Sequence, residues 1–237
     1  MSITRVSVDS AGNQANDFSS LPSISANGRF VTFSSLATNL VPGDTNKSSD
    51  IFLRDLSSNT TTRISVDSAG NPGNDGSFRH FISANGQFVT FESSATNLVP
   101  GDTNNAGDLF LRDLSSNTTT RISVDSAGNP GNDNSFSGSI SANSRFVAFG
   151  SNATNLVPGD TNNSDDIFLR DLSANTTTRI SVDSAGNQGN GNSFVSSISA
   201  DGRFVVFSSD ASNLVPGDTN GSSDIFLRDL SNNTTTC

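Results

Sequence analysis

"TRVSVDSAGN" at Thr4–Asn13 decides the fold, because "TRISVDSAGN" follows at Thr62, Thr120 and Thr178, at a fixed step of 58 residues. The rest of the unit recurs with it, through "ISANGRFVTF" and "ATNLVPGDTN" to "DIFLRDLS". The four copies run Thr4–Thr61, Thr62–Thr119, Thr120–Thr177 and Thr178–Thr235, and we expect them to fill a single domain over residues 1–237. A period of this length is typical of repeat architectures, in which one unit buries its apolar face against its neighbours.

Each copy contains four short strand candidates and almost no helical periodicity. In the third copy the candidates are Ser135–Ala142, Arg145–Ser151, Ile167–Leu172 and Thr177–Asp183. The second candidate carries apolar side chains on both faces, with Phe146 on one and Val147 on the other. A strand of this kind is buried on both faces. The pattern therefore predicts an all-β chain of four-stranded sheets, each packed between two others.

The segment "ISANGRFVTFSS…DIFLRDLSSNTTTRIS" resembles the repeat of TolB-like and WD-repeat-like β-propellers. That repeat has a Ser-x-Asp-Gly-like turn, an apolar strand, an aromatic-x-x-Asp-Leu strand and a Thr-Arg-Ile/Leu strand. The resemblance covers all four copies and implies a β-propeller of four near-identical four-stranded blades. The unit is longer than a WD repeat of roughly 40–45 residues, and the excess falls in the "ATNLVPGDTN" loop. The resemblance specifies the fold and leaves the function open, because propellers host many functions.

The phase of the repeat predicts how the blades close. The chain enters the repeat at a fourth-strand candidate, Thr4–Asp9, and its final third-strand candidate is Ile225–Leu230. We expect Thr4–Asp9 to complete the fourth blade as a velcro strand, which would hide an open sheet edge. The alternative is that the chain is half of an eight-bladed ring formed by a homodimer.

The chain is acidic, with 13 lysine and arginine residues against 23 aspartate and glutamate residues and a net charge of −10. Binding to nucleic acid and to anionic membranes rests on lysine and arginine. We therefore expect neither of these partners. An unknown protein or glycan is the expected partner, bound by a monomer or a homodimer.

Targeting signals are absent from the sequence. Met1 leads into Ser2 and Ile3 without an apolar segment, and no run of about 18 apolar residues occurs. Cys237 is the only cysteine, so an intrachain disulfide cannot form. These features predict a soluble chain without a signal peptide of its own, from a bacterial extracellular parent. The near-identity of the copies indicates a fragment, a recently amplified array or a designed chain.

The "GDTNxxxD" loop is the candidate cation site, because oxygen-bearing side chains alternate along it. Ca²⁺ takes about six to eight oxygen ligands of this kind. The predicted weak calcium ligands are Asp44, Asn46, Ser48 and Asp50 in the first copy, Asp102, Asn104 and Asp108 in the second, Asp160, Asn162, Ser164 and Asp166 in the third, and Asp218, Asn220, Ser222 and Asp224 in the fourth. The alternative is an Asx-turn loop whose side chains bond their own backbone.

Other repeated charged residues are expected to have structural roles. The aspartate of "VDSAGN" (Asp9, Asp67, Asp125 and Asp183) is predicted to cap a turn, and the aspartate of "FLRDL" (Asp55, Asp113, Asp171 and Asp229) to support the blade. The arginine that precedes each "VDSAGN" segment, which is Arg5, Arg63, Arg121 or Arg179, is predicted to pair with a nearby aspartate.

The copies differ most just before the innermost strand. The second copy has Phe78, Arg79 and His80 there, and Phe136 and Phe194 stand at the position of Phe78. The neighbouring positions of the fourth copy are Val195 and Ser196. Because ligands bind near the central opening of a propeller, we predict partner binding at Phe78, Arg79, His80, Phe136 and Phe194.

Three classes of function remain open. The sequence favours a non-enzymatic β-propeller scaffold that binds a partner and is stabilised by calcium at its Asp/Asn-rich loops. A lectin-like module with four equivalent sites is the alternative, although the chain has no Trp or Tyr for stacking on sugars. A hydrolase or lyase is the third class, but no catalytic or zinc motif is present. We therefore predict no catalytic residues.

Overall fold

The computed structural model describes residues 3–237, without the side chains of Val195 and Ser196, and contains sixteen strands in this range. In the first copy these are β1 (Ser19–Ile24), β2 (Phe30–Ser35), β3 (Asp50–Asp55) and β4 (Thr60–Arg63); in the second, β5 (Ser77–Ile82), β6 (Phe88–Ser93), β7 (Asp108–Asp113) and β8 (Thr118–Arg121); in the third, β9 (Ser135–Ile140), β10 (Phe146–Ser151), β11 (Asp166–Asp171) and β12 (Thr176–Arg179); in the fourth, β13 (Ser193–Ile198), β14 (Phe204–Ser209), β15 (Asp224–Asp229) and β16 (Thr234–Thr236).

The strands grouped above form four four-stranded antiparallel sheets, the four blades. The fourth strand of each of the first three blades ends in the next copy, at Arg63, Arg121 or Arg179. In every sheet the strands lie in chain order, so each blade is a simple meander. The all-β fold class and the four four-stranded blades are therefore confirmed. Between residues 3 and 237 no helix is assigned, and hence none that could cross a membrane.

The turn between the first two strands explains why each meander forms. Asn27 and Gly28 occupy this turn in the first copy, and the Oδ1 atom of Asn27 accepts hydrogen bonds from the Ser25 hydroxyl (2.7 Å) and the Arg29 amide (3.0 Å). Gly28 has a φ of 69°, a value that suits glycine. Ser144 takes this position in the third copy with a φ of 58°. The four turns are therefore alike even where the glycine is missing.

The outer edge of the fourth blade differs from the sequence-based prediction. Its third strand, β15, pairs with β14 on one side and with β16 on the other, so the copy supplies its own fourth strand. Residues Thr4–Asp9 form no strand; Val8 makes an isolated bridge to Gln14. The assignment of Thr4–Asp9 as the fourth strand of this blade was therefore wrong. Ring closure and the eight-bladed homodimer stay predictions.

The chain forms two compact units, of which the first contains residues up to Asn105 together with Phe110–Thr120. Its main core joins the first blade to the second, because Ile51 and Ile64 belong to one buried cluster with Val89 and Phe91. The rings of Phe91 and Phe110 stack with their centroids 5.6 Å apart. The first blade thus buries one apolar face against the second, as the apolar pattern predicts.

The second unit contains Ala106–Leu109 and Arg121–Cys237 and repeats this arrangement. Ile167 in β11 and Ile180, which follows β12, cluster with Val205, Phe207 and Phe226 of the fourth blade. Phe207 and Phe226 stack at 5.9 Å between ring centroids. Both units are therefore built on the same contact between two consecutive blades.

The corresponding face of the fourth blade is exposed. Ile51, Leu109 and Ile167 occupy equivalent positions in the first three copies and are fully buried, whereas 61% of Ile225 is accessible. Val206 and Leu227 on the same blade are each 38% accessible. Because the residues are alike, the difference comes from what covers them and not from the strands themselves.

This contrast predicts unequal effects of one substitution at equivalent positions. Ile167→Ala should lower the free energy of unfolding by about 2–5 kcal/mol, since it removes buried methyl groups and leaves a cavity. Ile225→Ala should change the free energy of unfolding by about 0.5 kcal/mol or less, since most of its surface is already in water. Urea unfolding followed by circular dichroism at low protein concentration measures both. Equal losses would contradict the exposed face.

Candidate functional site

The long loop of the first copy places two aspartates around one arginine. The Nη2 atom of Arg63 lies 3.2 Å from Oδ1 of Asp44, and its Nε atom lies 3.6 Å from Oδ2 of Asp50. All three side chains are buried, and the Ser65 hydroxyl donates to Asp50 Oδ1 at 2.6 Å. Burial raises the pKa of Asp50, although Ser65 and the Arg63 charge both oppose this. The positive charge at the centre of this loop is therefore an arginine.

The other copies allow this arrangement to be compared. At the loop of the third copy, Arg179 lies 3.3 Å from Asp160 and 3.5 Å from Asp166. At the loop of the second copy, the Nε atom of Arg121 lies 3.3 Å from Asp108. The predicted pairing with nearby aspartates is therefore confirmed for Arg63, Arg121 and Arg179.

The rest of the loop has the Asx-turn geometry that is the alternative to calcium. Asn46 accepts the Ser48 amide at its Oδ1 atom (3.0 Å) and donates from Nδ2 to Asp50 and to the Gly73 carbonyl, both at 3.1 Å. Among residues 3–237, no three His, Cys, Asp or Glu side chains group as a metal site would require. Calcium binding stays a prediction, and in the first and third copies calcium would have to displace an arginine.

The loop of the fourth copy has no equivalent of Arg63, because Cys237 occupies that position in the repeat. Asp218, Asn220, Asp224 and Cys237 line a cavity of about 310 Å³. Asn220 keeps its loop contacts, donating to Asp224 at 2.8 Å and accepting the Ser222 amide at 2.8 Å. Within the described part of the chain, the structure shows no arginine or lysine paired with Asp218 or Asp224.

The remaining repeated aspartates have the structural geometry expected of them. Asp9 accepts the backbone amides of Ala11 (2.9 Å) and Asn13 (2.7 Å), which lowers the pKa of its carboxyl together with the hydrogen bond from the Asn13 side chain. Asp55 binds Arg29 through two hydrogen bonds of 3.0 and 2.7 Å, and this pairing lowers the Asp55 pKa. These side chains hold turns and strand ends, so they are poor candidates for binding a ligand.

The predicted partner site lies on the first strand of each blade. In the first unit β1 and β5 contact each other, and in the second unit β9 and β13 do so. Each of these strands contains an irregularity of register, which falls between Phe78 and His80 in β5. A β-bulge of this kind changes the face to which the following side chains point.

The second copy exposes more of this strand than the sequence predicted. Phe78 is 45% accessible and Arg79 is exposed, as expected. Phe81 is 44% accessible, and the sequence analysis did not include it in the partner site. Phe136 and Phe194 are half-buried and therefore less accessible to a partner, and Phe136 packs over Gly150. The side chains of Val195 and Ser196 lie outside the described residues.

His80 requires a correction. Only 3% of its surface is accessible, so it cannot contact a partner directly, and its assignment to the partner site was wrong. Burial lowers its pKa to about 4, and the backbone of Thr32 opposes this only in part. The bulge next to Phe78 explains the error, since it turns His80 inward between two exposed neighbours.

A repeated cavity is a second feature that sequence reasoning missed. In the first copy Asp9, Asn39, Pro42, Thr45 and Thr61 are among the residues that line about 560 Å³. The equivalent residues of the third copy line about 570 Å³, and they include Asp125, Asn155, Pro158, Thr161 and Thr177. The cavity lies between the "VDSAGN" turn and the long loop, which are far apart in each repeat and meet only after folding.

No protein-family model and no curated protein matches the sequence. Solved structures do match. TolB from Acinetobacter baumannii superposes with a TM-score of 0.56 at 19% identity, over 93% of this chain and 43% of that one. The β-propeller domain of the Trilobed protease from Pyrococcus furiosus, described as having an open velcro topology, gives 0.54 at 13% identity over 90% and 55%. An oligogalacturonate lyase in complex with manganese gives 0.53 at 13% identity over 90% and 50%.

The chain has a TolB-like β-propeller fold. This confirms the resemblance of the repeat. The chain spans about half the length of the structures that it matches. Since these include a TolB protein, a protease domain and a lyase, the fold by itself does not decide the activity.

The burial of His80 predicts a pH dependence of stability. Its pKa is about 4 in the folded chain against an ordinary value of 6.5, so the unfolded chain binds the proton more tightly. Stability contributed by the neutral imidazole is complete above pH 6.5 and is lost as the pH falls towards 4, by an amount on the order of 3 kcal/mol. His80→Ser should remove this part of the pH dependence. Urea unfolding between pH 4 and 7.5 compares the two chains; parallel curves would contradict the prediction.

Proposed function

We propose that the chain is a non-enzymatic β-propeller scaffold that binds a protein partner at the exposed residues of β5. The observation that carries this proposal is the pair of accessible phenylalanines, Phe78 and Phe81, on either side of the exposed Arg79 and the buried His80. Aromatic residues and arginine dominate the binding energy of protein interfaces. These residues occur together in only one of the four copies.

A non-catalytic role agrees with the surroundings of the titratable groups. His80 is the one histidine in the sequence, and its burial keeps it away from a substrate. Asp50 and Asp166 are raised in pKa by burial, but each is held by an arginine and a serine that also belong to the blade contact. A carboxylate locked in this way has no room for a reacting group.

The chemistry of the surface indicates the kind of partner. Phe78 and Phe81 are exposed apolar rings on a chain with a net charge of −10. A peptide segment with an aliphatic or aromatic anchor would pack against these two rings. We therefore expect an apolar peptide segment and not a nucleic acid.

A randomised peptide library displayed on phage and selected on the immobilised chain tests this function. The enriched peptides should carry an aliphatic or aromatic anchor. Phe78→Ser should weaken their binding roughly tenfold or more, because truncating an aromatic anchor at an interface costs about 2 kcal/mol. Leu56→Ser is the matched control, since Leu56 is a similarly exposed apolar residue that follows β3. Failure to enrich peptides, or equal binding by the two variants, would reject the proposed site.

Carbohydrate binding is the second candidate, and the cavity shared by the first and third copies favours it. Equivalent polar cavities on two repeats of one chain are what a multivalent lectin-like module needs. The lining combines hydroxyl and amide groups with the apolar side chains of Leu40, Val41 and Pro42. Shallow polar and apolar surfaces of this kind can hold a sugar without an aromatic platform.

A glycan array probed with the labelled chain tests the second candidate. Binding of a glycan should fall about tenfold in Thr45→Ala/Thr161→Ala, which removes one lining hydroxyl from each cavity. Thr118→Ala, in β8 and outside both cavities, is the control. A glycan that binds all three chains equally would place carbohydrate binding elsewhere, and an array without signal would reject it.

A further inference from the structure

The contact between two consecutive blades has a polar half that belongs to one short segment. For the loop of the first copy this segment is Arg63–Gly73, at the start of the second copy. Arg63 pairs with Asp44 and Asp50, the Ser65 hydroxyl donates to Asp50, and the Gly73 carbonyl accepts from Asn46. The loop of the third copy has the same contacts with the segment from Arg179 to Gly189, at the start of the fourth copy. The segment therefore neutralises the loop that precedes it and covers the edge of the blade.

The loop of the fourth copy differs from the other three at the position of this arginine. Asp218, Asn220 and Asp224 are in place, but Cys237 stands where the arginine is required. Asp224 is partly exposed, whereas Asp50 and Asp166 are fully buried. The apolar half of the contact is open too, with Ile225, Leu227 and Val206 accessible to solvent.

The chain contains one further segment of the required sequence. Arg5–Ala15 reads "RVSVDSAGNQA", against "RISVDSAGNPG" for Arg63–Gly73. Arg5 is exposed and its Nη1 atom donates to Gln14 at 2.5 Å. The same contact is present between Arg179 and Gln188, at the start of the fourth copy, while Arg179 also pairs with Asp160 and Asp166. The bond to Gln14 thus leaves Arg5 able to bind two carboxylates.

The apolar side of this region is also open. Ile24 in β1 is 59% accessible, whereas Ile82, its equivalent in the second copy, is 7% accessible and clusters with Ile51 and Leu53. Ile225 and Leu227 are the fourth-copy equivalents of Ile51 and Leu53. One chain therefore contains both an exposed isoleucine, Ile24, and an exposed apolar face, at Ile225 and Leu227, on which such an isoleucine can pack.

We propose that the exposed face of the fourth copy binds the Arg5–Ala15 segment and the first blade of a second copy of this chain. The Arg5 guanidinium of the second copy lies between Asp218 and Asp224, its Ser7 hydroxyl donates to Asp224, and its Ala15 carbonyl accepts from Asn220. Ile24 packs on Ile225 and Leu227. Cys237 is exposed and follows the end of β16, so it turns aside without loss of a strand hydrogen bond. The interface continues the blade contact already present within each unit.

Such an interface joins two different surfaces of the chain. In a bound pair, each chain therefore still has one of these two surfaces unoccupied. Heterologous contacts of this kind either close into a ring or continue as a filament. The positive charge of Arg5 matches two carboxylates that the fourth copy leaves without an arginine. A second copy fits this surface better than an unrelated protein, because it supplies the guanidinium, the hydroxyl and the isoleucine in the spacing that the repeat requires.

Sedimentation velocity of the 237-residue chain under reducing conditions tests the proposal. We expect a concentration-dependent mass above the 24.6 kDa of one chain. Arg5→Ala and the pair Asp218→Asn/Asp224→Asn should each raise the dissociation constant roughly tenfold or more, since each removes a charge-assisted contact. Lys47→Gln, which removes an exposed positive charge from the loop of the first copy, is the matched control and should leave assembly unchanged.

Two variants of Cys237 extend the test. The first distinguishes this interface from a disulfide-linked dimer, and the second asks whether a guanidinium of the same chain competes with the interface. Cys237→Ser should assemble as the parent does, because the interface needs no thiol. Cys237→Arg places a guanidinium on the same chain as Asp218 and Asp224. It should weaken assembly, because it competes with the Arg5 of the second chain for these two carboxylates. Circular dichroism shows whether each variant is folded.

Two results would overturn the proposal. One is that the parent chain has the mass of a single chain at every concentration. This result overturns the proposal even if Arg5→Ala lowers the melting temperature. The second is an assembly that survives Arg5→Ala with an unchanged dissociation constant. Binding of peptides at Phe78 is independent of these outcomes, so the two proposals can fail separately.

Discussion

A blade with apolar side chains on both faces cannot bury them alone, and every other feature of this chain follows from that constraint. Ile51 and Ile167 are fully buried because another blade covers them, while Ile225, on a strand of the same sequence, is mostly in water. Burial of apolar surface stabilises a protein by roughly 25 cal/mol per Å². The stabilising unit is therefore the contact between two blades, and a single 58-residue copy holds only half of it.

The arginine between two aspartates is the polar counterpart of this contact. Removing three charges from water is unfavourable, and a buried ion pair often contributes little net stability. Its geometry is nevertheless demanding, because Arg63 must reach Asp44 in the long loop and Asp50 at the start of β3 while Ser65 bonds the same carboxylate. A blade shifted along its neighbour would leave these charges buried and unpaired. We infer that the cluster fixes the register in which blades stack, whereas the apolar residues supply most of the stability.

How much of this could be predicted depends on whether the signal is local. The strands, the Asn-Gly turns and the cap at Asp9 were predictable, because alternation and turn chemistry act over a few residues. The partner of Asp44 was harder to predict, because nineteen positions of chain separate it from Arg63. The sequence pattern therefore indicated a calcium site, whereas the positive charge that the structure places in the loop is an arginine from the start of the next copy. The error at His80 had a different cause, since a single bulged residue reverses inside and outside along the rest of the strand.

Differences between the copies on the first strand are more than tolerated drift at the positions where packing can be followed. At Gly138 of the third copy a Cβ atom would lie 2.4 Å from the Leu109 side chain, so that glycine leaves room for a leucine where the other copies have isoleucine. His80 is the equivalent residue of the second copy. It is also buried, whereas its chain neighbours Arg79 and Phe81 are exposed. Each first strand is thus fitted to its own surroundings on the buried side and is free to differ on the exposed side. A scaffold of nearly identical blades can acquire one specific surface by this route, because the residues that stack the blades and the exposed residues of the first strand are different ones.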